Sequence, residues 1–485
     1  MSITDWSQLA QSKLKTVRAA QIRWAELSVQ ERAQKLMQAR DAILARGEEL
    51  AQLISEETQK PLAEAYSAEV LSVGDLLSYW CKKGPELLKP RKGEIPSLEM
   101  PGKKAWIERV PRGVVVCISP WNYPISLPMR TIAPTLLAGN GLILKPSEAT
   151  PRTGVWLVER IAEVIGDVIA VVDGDGAAGQ ALIAAGPDAV VFTGSTRTGR
   201  KVAVQCAELG IPCELELGGK DCAVVLADAD LERTAAGVAW GILTNAGQNC
   251  SGIERVAVSA QIAPQFVPKL VAALNRAKND VPHLVTNQQR ELVAWHLQDA
   301  INRGAEVLAG GVPEGNQPIA PTLLTKVPRD AAAWMDESFG PVAVLEIHTT
   351  EEQLIAAAND TRYGLGASVW SQNTEHATEV ARRIRSGMVW INNHSFTGAL
   401  ADLPWVGMGD SGTGMTNSPD VLHHLTRPRL YVVDSNKDLE PWWYPYGERM
   451  VDLMRVLVGR QRTGGLGATL KTLGALKARM REIKN

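Results

Sequence analysis

Gly113-Val114-Val115-Val116-Cys117-Ile118-Ser119, followed at once by Pro120-Trp121-Asn122-Tyr123-Pro124, is the stretch that decides the fold. Its unbroken apolar run has no polar alternation, which is the texture of a parallel strand covered on both faces. The two prolines end the run and stiffen the loop that carries Trp121 and Asn122. The same texture returns at residues 142–144, 168–172 and 189–192, separated by stretches of helix length. Strand, helix and strand at this spacing predict a doubly wound α/β domain.

Working outward, a second alternation starts after Gly219, with strands expected at 222–226, 256–259, 342–347 and 388–392. Two α/β layers in series are therefore the expected architecture. Toward the N-terminus, Leu36, Ile43 and Leu44, then Leu50, Leu53 and Ile54, recur at helical spacing, so residues 28–87 read as helices. Between Pro90 and Arg112 the texture changes, and residues 104–110 read as an exposed strand.

At 485 residues the chain exceeds one ordinary core, so two or three domains are expected. Its 45% hydrophobic and 21% charged content is that of a globular protein. A net charge of -2 gives no reason to expect nucleic acid as a partner. Six cysteines without a Cys-x-x-Cys pair argue against structural zinc and a disulfide framework, so reduced thiols in a cytoplasm are expected. Residues 1–15 lack the basic start and apolar core of a secretory leader, and no spanning helix is expected.

Five segments carry chemistry. Gly247-Gln248-Asn249-Cys250-Ser251-Gly252 presents one thiol in a glycine-punctuated loop, and Glu216 lies 34 residues before it, ahead of Gly218-Gly219-Lys220. A thiol and a carboxylate supply a nucleophile and a base for acyl chemistry through a thioester. Thr193-Gly194-Ser195 joins a strand to a helix, where free backbone N–H groups attract phosphate; alone it reads equally as a plain turn. Lys145 and Glu148 follow another buried strand, as ribose contacts or as a solvated surface pair. Asn122 is either an aimed amide donor for a developing oxyanion or a turn residue bonding its own backbone.

These segments, with Glu337-Ser338-Phe339-Gly340-Pro341 and Gly409-Asp410-Ser411-Gly412-Thr413-Gly414, follow the order and approximate spacing of the aldehyde dehydrogenase superfamily. The chain resembles that family from about residue 20 to 433. The resemblance implies Cys250 as nucleophile, Glu216 as general base, and Asn122 with the Cys250 backbone N–H as the oxyanion hole. It implies NAD as cofactor, with NADP possible, held by Ser119, Pro120, Trp121, Lys145, Ser147, Glu148, Gly194, Ser195, Gly199, Leu217, Glu337 and Phe339. No metal is implied. Glu216 favours hydrolysis over transfer to coenzyme A, and Glu214, two residues earlier, adds a like-charge push.

The implied layout has a cofactor-binding domain at 1–89 and 111–217, a catalytic domain at 218–420, and oligomerisation strands at 90–110 and 421–434. A dimer or tetramer is expected. Substrate is to be chosen near Tyr123, Met129, Asn249, Ser251 and residues 394–400; the last stretch holds no lysine or arginine, which points to neutral aliphatic or aromatic aldehydes over semialdehydes. Cysteine and base together argue against a purely structural scaffold.

Residues 435–485 depart from the family pattern. From 447 to 485 there are nine Lys or Arg against three Asp or Glu, a local net charge of +6. Leu466, Leu470, Leu473, Met480 and Ile483 share one face of an expected amphipathic helix, behind the aromatic residues 441–446. Such a segment covers the protein's own surface or a neighbouring subunit, or rests peripherally on an anionic membrane, as in some fatty-aldehyde relatives.

Overall fold

The computed structural model describes residues 5–96, 100–315 and 317–484. The chain divides into two compact units, Met1–Lys89 with Val110–Arg427 and Pro90–Arg109 with Pro428–Asn485.

Among the described residues, the larger unit holds two large sheets and the two-stranded pair Trp405–Val406 with Met415–Thr416. The first is parallel, ordered Ile169–Val171, Gly141–Lys145, Val114–Ile118, Ala189–Thr193, Cys213–Glu216. Val114, Val115 and Val116 are all fully buried. Each such side chain contributes about 1.5–3 kcal/mol, which is why an unbroken apolar run settles here and not on a surface. Chain order reverses direction between Val114–Ile118 and Ala189–Thr193, so the crevice beyond their carboxyl ends is a topological switch point. Asn122 follows the first of these strands and Gly194 the second.

The second sheet runs Glu306–Ala309, Thr322–Thr325, Val342–His348, Ile253–Ser259, Asp221–Val225, Gly366–Trp370, Met388–Ile391. It is parallel except for its first strand. Residues 217–220 link the carboxyl end of Cys213–Glu216 to the amino end of Asp221–Val225, and the Cys250 loop enters Ile253–Ser259 at its amino end. Cys250 and the switch-point crevice are thereby brought to the junction of the two sheets.

The sequence reading starts its helices at Ser28, and Ser28 does cap Val29–Leu44 in a reciprocal box with Glu31. The structure adds Trp6–Glu26, capped by Asp5. Strands at Glu306–Ala309, Thr322–Thr325 and Gly366–Trp370 also go beyond the expectation; the first two are four residues each, too short for a clear pattern.

The smaller unit holds a sheet ordered Arg91–Gly93, Lys103–Pro111, Thr426–Asp434, with Trp106 stacked on Tyr431 at 5.2 Å. Its C-terminal part is a pair of helices, Glu448–Thr463 and Gly465–Lys484, packed on each other. The expected apolar face is not the covered one. Leu466, Leu470 and Leu473 stay 79%, 62% and 42% exposed, whereas Arg479 is fully buried. Arg479 donates to the carbonyls of Pro441, Trp443 and Pro445 at 2.7–2.9 Å, so backbone acceptors, not leucines, fix which side turns inward.

Candidate active site

The chain reaches Cys250 through three residues with left-handed backbone, Asn245, Ala246 and Gly247, at φ of 53°, 55° and 72°. Held in that region, a non-glycine residue costs on the order of 1 kcal/mol or more, so surrounding bonds must impose it. They do. Asn245 donates its backbone N–H to Glu64 Oε1 at 2.9 Å and its side-chain amide to the carbonyls of Asn122 and Gln248. A Cβ at Gly247 would sit 2.1 Å from the Gly340 carbonyl, and one at Gly219 would sit 2.1 Å from the Cys250 carbonyl. Those two motif glycines let three segments close around the thiol.

Asn122 is buried at 2% exposure and donates Nδ2 to the Gln248 carbonyl at 3.1 Å. Its own carbonyl accepts from Lys60 Nζ at 2.8 Å, and Lys60 pairs with Glu69 at 2.6 Å with both side chains wholly buried. The other Glu69 oxygen accepts the backbone N–H groups of Ile125 and Ser126, the start of helix Ser126–Leu137. A second buried pair, Lys220 and Glu254 at 2.5 Å, does the same for the opposite wall: Glu254 accepts the N–H groups of Ser338 and Phe339. Phe339 stands edge-on to Trp121 at 5.4 Å between ring centres.

Two cavities meet at Cys250. One of about 440 Å³ is walled by Pro120, Trp121, Asn122, Gly194, Ser195, Leu217, Glu337 and Phe339. The other, of about 310 Å³, is walled by Tyr123, Arg130, Trp240, Asn249, Phe396 and Trp405 among others. Cys250 and Leu127 line both.

The first cavity suits a dinucleotide. Helix Thr196–Glu208 opens toward it, with its Ser195 cap occupying the Thr198 N–H and leaving earlier N–H groups to a ligand. Gly199 lies off the cavity wall; a Cβ there would strike Leu217 at 2.3 Å, so its part is to seat Leu217. Ser119, Lys145, Ser147 and Glu148 also lie off that wall, at the carboxyl ends of the adjacent strands Val114–Ile118 and Gly141–Lys145. Lys145 is buried and pairs with the exposed Glu148 at 3.0 Å, so this is a half-buried pair and not a freely solvated one.

Glu216 ends its strand at 4% exposure, with Oε1 lacking a hydrogen-bond partner. Burial pushes it up to about 7, against the pull of Arg130 and Thr416. The push from Glu214 has the expected sign but is the smallest contribution, and Glu214 is itself paired with His424 at 2.6 Å. Glu216 does not face either cavity in this conformation. Burial also pushes the Cys250 thiol up to about 12, and Arg130 is the group that opposes it.

Arg130 is the residue the sequence reading missed. It is 7% exposed, its Nε and Nη1 have no hydrogen-bond partner, and it stacks on Trp405 at 4.7 Å. Residues 394–400 contain no cation, but Gly398 packs against the Arg130 guanidinium, so a cation does reach this cavity. Met129, expected beside the substrate, is fully buried in the hydrophobic core, and its neighbours Leu127 and Arg130 turn inward to the cavity instead. Ser251 and His394 are buried supports: Ser251 Oγ lies 2.6 Å from Ser395 Oγ, and His394 bonds the Ser251 carbonyl.

The model of the aldehyde dehydrogenase family matches residues 7–430. A 4,4'-diapolycopene aldehyde oxidase from Methylomonas sp is 35% identical over 447 residues, covering 90% of this chain and 84% of its own. A succinate-semialdehyde dehydrogenase [NADP(+)] from Deinococcus radiodurans is 34% identical over 430 residues, covering 84% and 86%. Among solved structures, a betaine aldehyde dehydrogenase variant from Staphylococcus aureus in complex with NAD+ superposes with a TM-score of 0.83 at 28% identity, covering 90% and 91%. With that match over residues 7–430 and its cysteine at the junction of two sheets, the chain belongs to the aldehyde dehydrogenase family.

Proposed function

We propose that this chain oxidises an aldehyde to its carboxylic acid by thioester chemistry at Cys250, and the observation that carries the reading is that Cys250 lines both cavities. The Cys250 thiol loses its proton to water, its sulfur bonds the aldehyde carbon, and the C=O electron pair moves onto oxygen. Asn122 Nδ2 and the Cys250 backbone N–H donate to that oxyanion. Loss of hydride from the same carbon leaves a thioester. Glu216 then takes a proton from water, water oxygen bonds the acyl carbon, and the C–S bond breaks to return the thiol. A base pushed up to about 7 is half deprotonated at neutral pH, which suits that work.

NAD(P)+ supplies the hydride acceptor when bound. Pro120, Trp121, Gly194, Ser195, Leu217, Glu337 and Phe339 would hold it, with Ser119, Lys145, Ser147 and Glu148 at the neighbouring strand ends. Glu148 repels a 2′-phosphate and favours NAD; Arg197, on the cavity wall, is the residue that would admit NADP. Domain roles follow: residues 1–89 and 111–217 for the cofactor, 218–420 for chemistry.

Substrate admits two readings. Neutral aliphatic or aromatic aldehydes fit the apolar walls. A semialdehyde is favoured by Arg130, which lines the cavity and whose guanidinium has two nitrogens without a hydrogen-bond partner, a group suited to a carboxylate. Two relatives carry names that differ in substrate, 4,4'-diapolycopene aldehyde and succinate semialdehyde. The edge strand Thr426–Asp434 exposes Leu430, Val432 and Val433, supporting assembly with a second copy. Leu466, Leu470 and Leu473, outward beside Lys477, Arg481 and Lys484, support a peripheral contact of residues 441–485 with an anionic membrane.

The deciding experiment is Cys250→Ala with an aldehyde panel: oxidation should vanish while NAD+ affinity persists. Surviving oxidation would overturn the reading.

A further inference from the structure

The cavity on the aldehyde side has a neighbour. A groove of about 750 Å³ runs between helices Leu231–Leu243 and Ala263–Ala277. Glu64, Trp240 and Thr244 line both this groove and the 310 Å³ cavity that holds Cys250. The two spaces therefore adjoin along Glu64, Trp240 and Thr244, with Cys250 on the far side of the smaller one.

The pair of spaces changes character along its length. Near Cys250 its walls mix polar and aromatic groups. Beyond Trp240 its walls are apolar at Ala236, Ala239, Leu243, Ala273, Ala277 and Val281 and charged at Arg233, Arg276, Asp280 and the pair Glu232 and Lys269, which bridges the two helices. Trp240 itself is 48% exposed at the junction. A large aromatic face left in water beside an apolar trough is surface that an apolar ligand would cover. A short aldehyde cannot reach it, because its carbonyl carbon must stay at the Cys250 sulfur.

We infer that this groove takes the hydrocarbon tail of an extended apolar aldehyde whose carbonyl sits at Cys250. The inference rests on the proposed role of Cys250 and adds a substrate class to it. The tail leaves the cysteine cavity between Thr244 and Trp240 and lies along the alanine-rich faces of the two helices. Each methylene buried there tightens binding about two- to four-fold, until the groove is full. A carboxylate at the far end of a short chain would instead stop at Arg130.

The full chain is assayed with NAD+ against propanal, hexanal, decanal and succinate semialdehyde. The expected result is a KM that falls from propanal to decanal by at least a hundred-fold, at similar kcat. Ala236→Glu and Ala273→Glu each place a charge in the trough, from positions that are exposed or half-buried on the helix surface. Each should cut the ratio of decanal to propanal kcat/KM at least ten-fold. A wild-type KM independent of chain length, a preference for succinate semialdehyde over decanal, or a ratio unmoved in both variants overturns the inference. The wild-type series decides even if a variant misfolds. Failure to oxidise any of the aldehydes would instead sink the Cys250 reading on which the inference rests.

Discussion

Lys60→Met should test how the Asn122 loop is held. Lys60 and Glu69 are wholly buried, 2.6 Å apart, and Lys60 also donates to the Asn122 carbonyl at 2.8 Å. Removing one partner of such a pair strands the other charge and costs about 3–5 kcal/mol. For a unit of about 400 residues the unfolding entropy is about 0.85 kcal/mol per kelvin, so the melting midpoint should drop by about 4–6 °C. Asn122 keeps one donor on its carbonyl, from Asn245 at 2.9 Å, so its loop shifts without being released. Losing an oxyanion donor outright costs about 10²–10³ in rate, which makes about 10² the ceiling for the fall in kcat. Glu69→Gln keeps an acceptor for the Ile125 and Ser126 N–H groups but strands Lys60, and should cost as much. The double variant should cost little more than either single one, a coupling of about 3 kcal/mol or more. The assays are circular dichroism melts at one scan rate and initial rates of NADH formation. Additive singles, or singles costing less than about 1 kcal/mol, would refute the reasoning.

Glu216 is pushed up to about 7, and its charged form is the working base; steady-state turnover limited by thioester hydrolysis should therefore rise with pH through that value and level off above it. Glu216→Gln should give one burst of NADH with little steady turnover, and no burst means the base lies elsewhere. Arg130→Met should raise KM for succinate semialdehyde ten-fold or more if a carboxylate docks there, while an equal loss with propanal would assign Arg130 to the Cys250 thiolate instead. Leu466→Ser/Leu470→Ser/Leu473→Ser should weaken sedimentation with anionic liposomes; binding no stronger than to neutral liposomes in the unaltered chain removes the membrane contact.

Much of the fold was legible because it is written locally. Val114 to Ile118 and residues 189–192 read as parallel strands since burial on both faces leaves no polar alternation, and glycines at 194, 219 and 247 mark where backbones must close. The motif residues Asn122, Cys250, Glu337 and Phe339 meet at one cavity, and Glu216 lies buried just behind it.

Tertiary structure decided the rest. Every residue of Ser126–Leu137 is buried, so no amphipathic pattern distinguishes Arg130, which faces Cys250, from Met129, which faces the core. Lys60 bonds a carbonyl 62 residues away, a pairing no local signal encodes. The apolar groove arises from two helices whose alanines, read alone, are ordinary surface. Arg479 wins the interior of the C-terminal hairpin because three carbonyls converge on it, leaving the leucines outside. Periodicity fixes which residues share a face, but only the packed neighbours fix what that face meets.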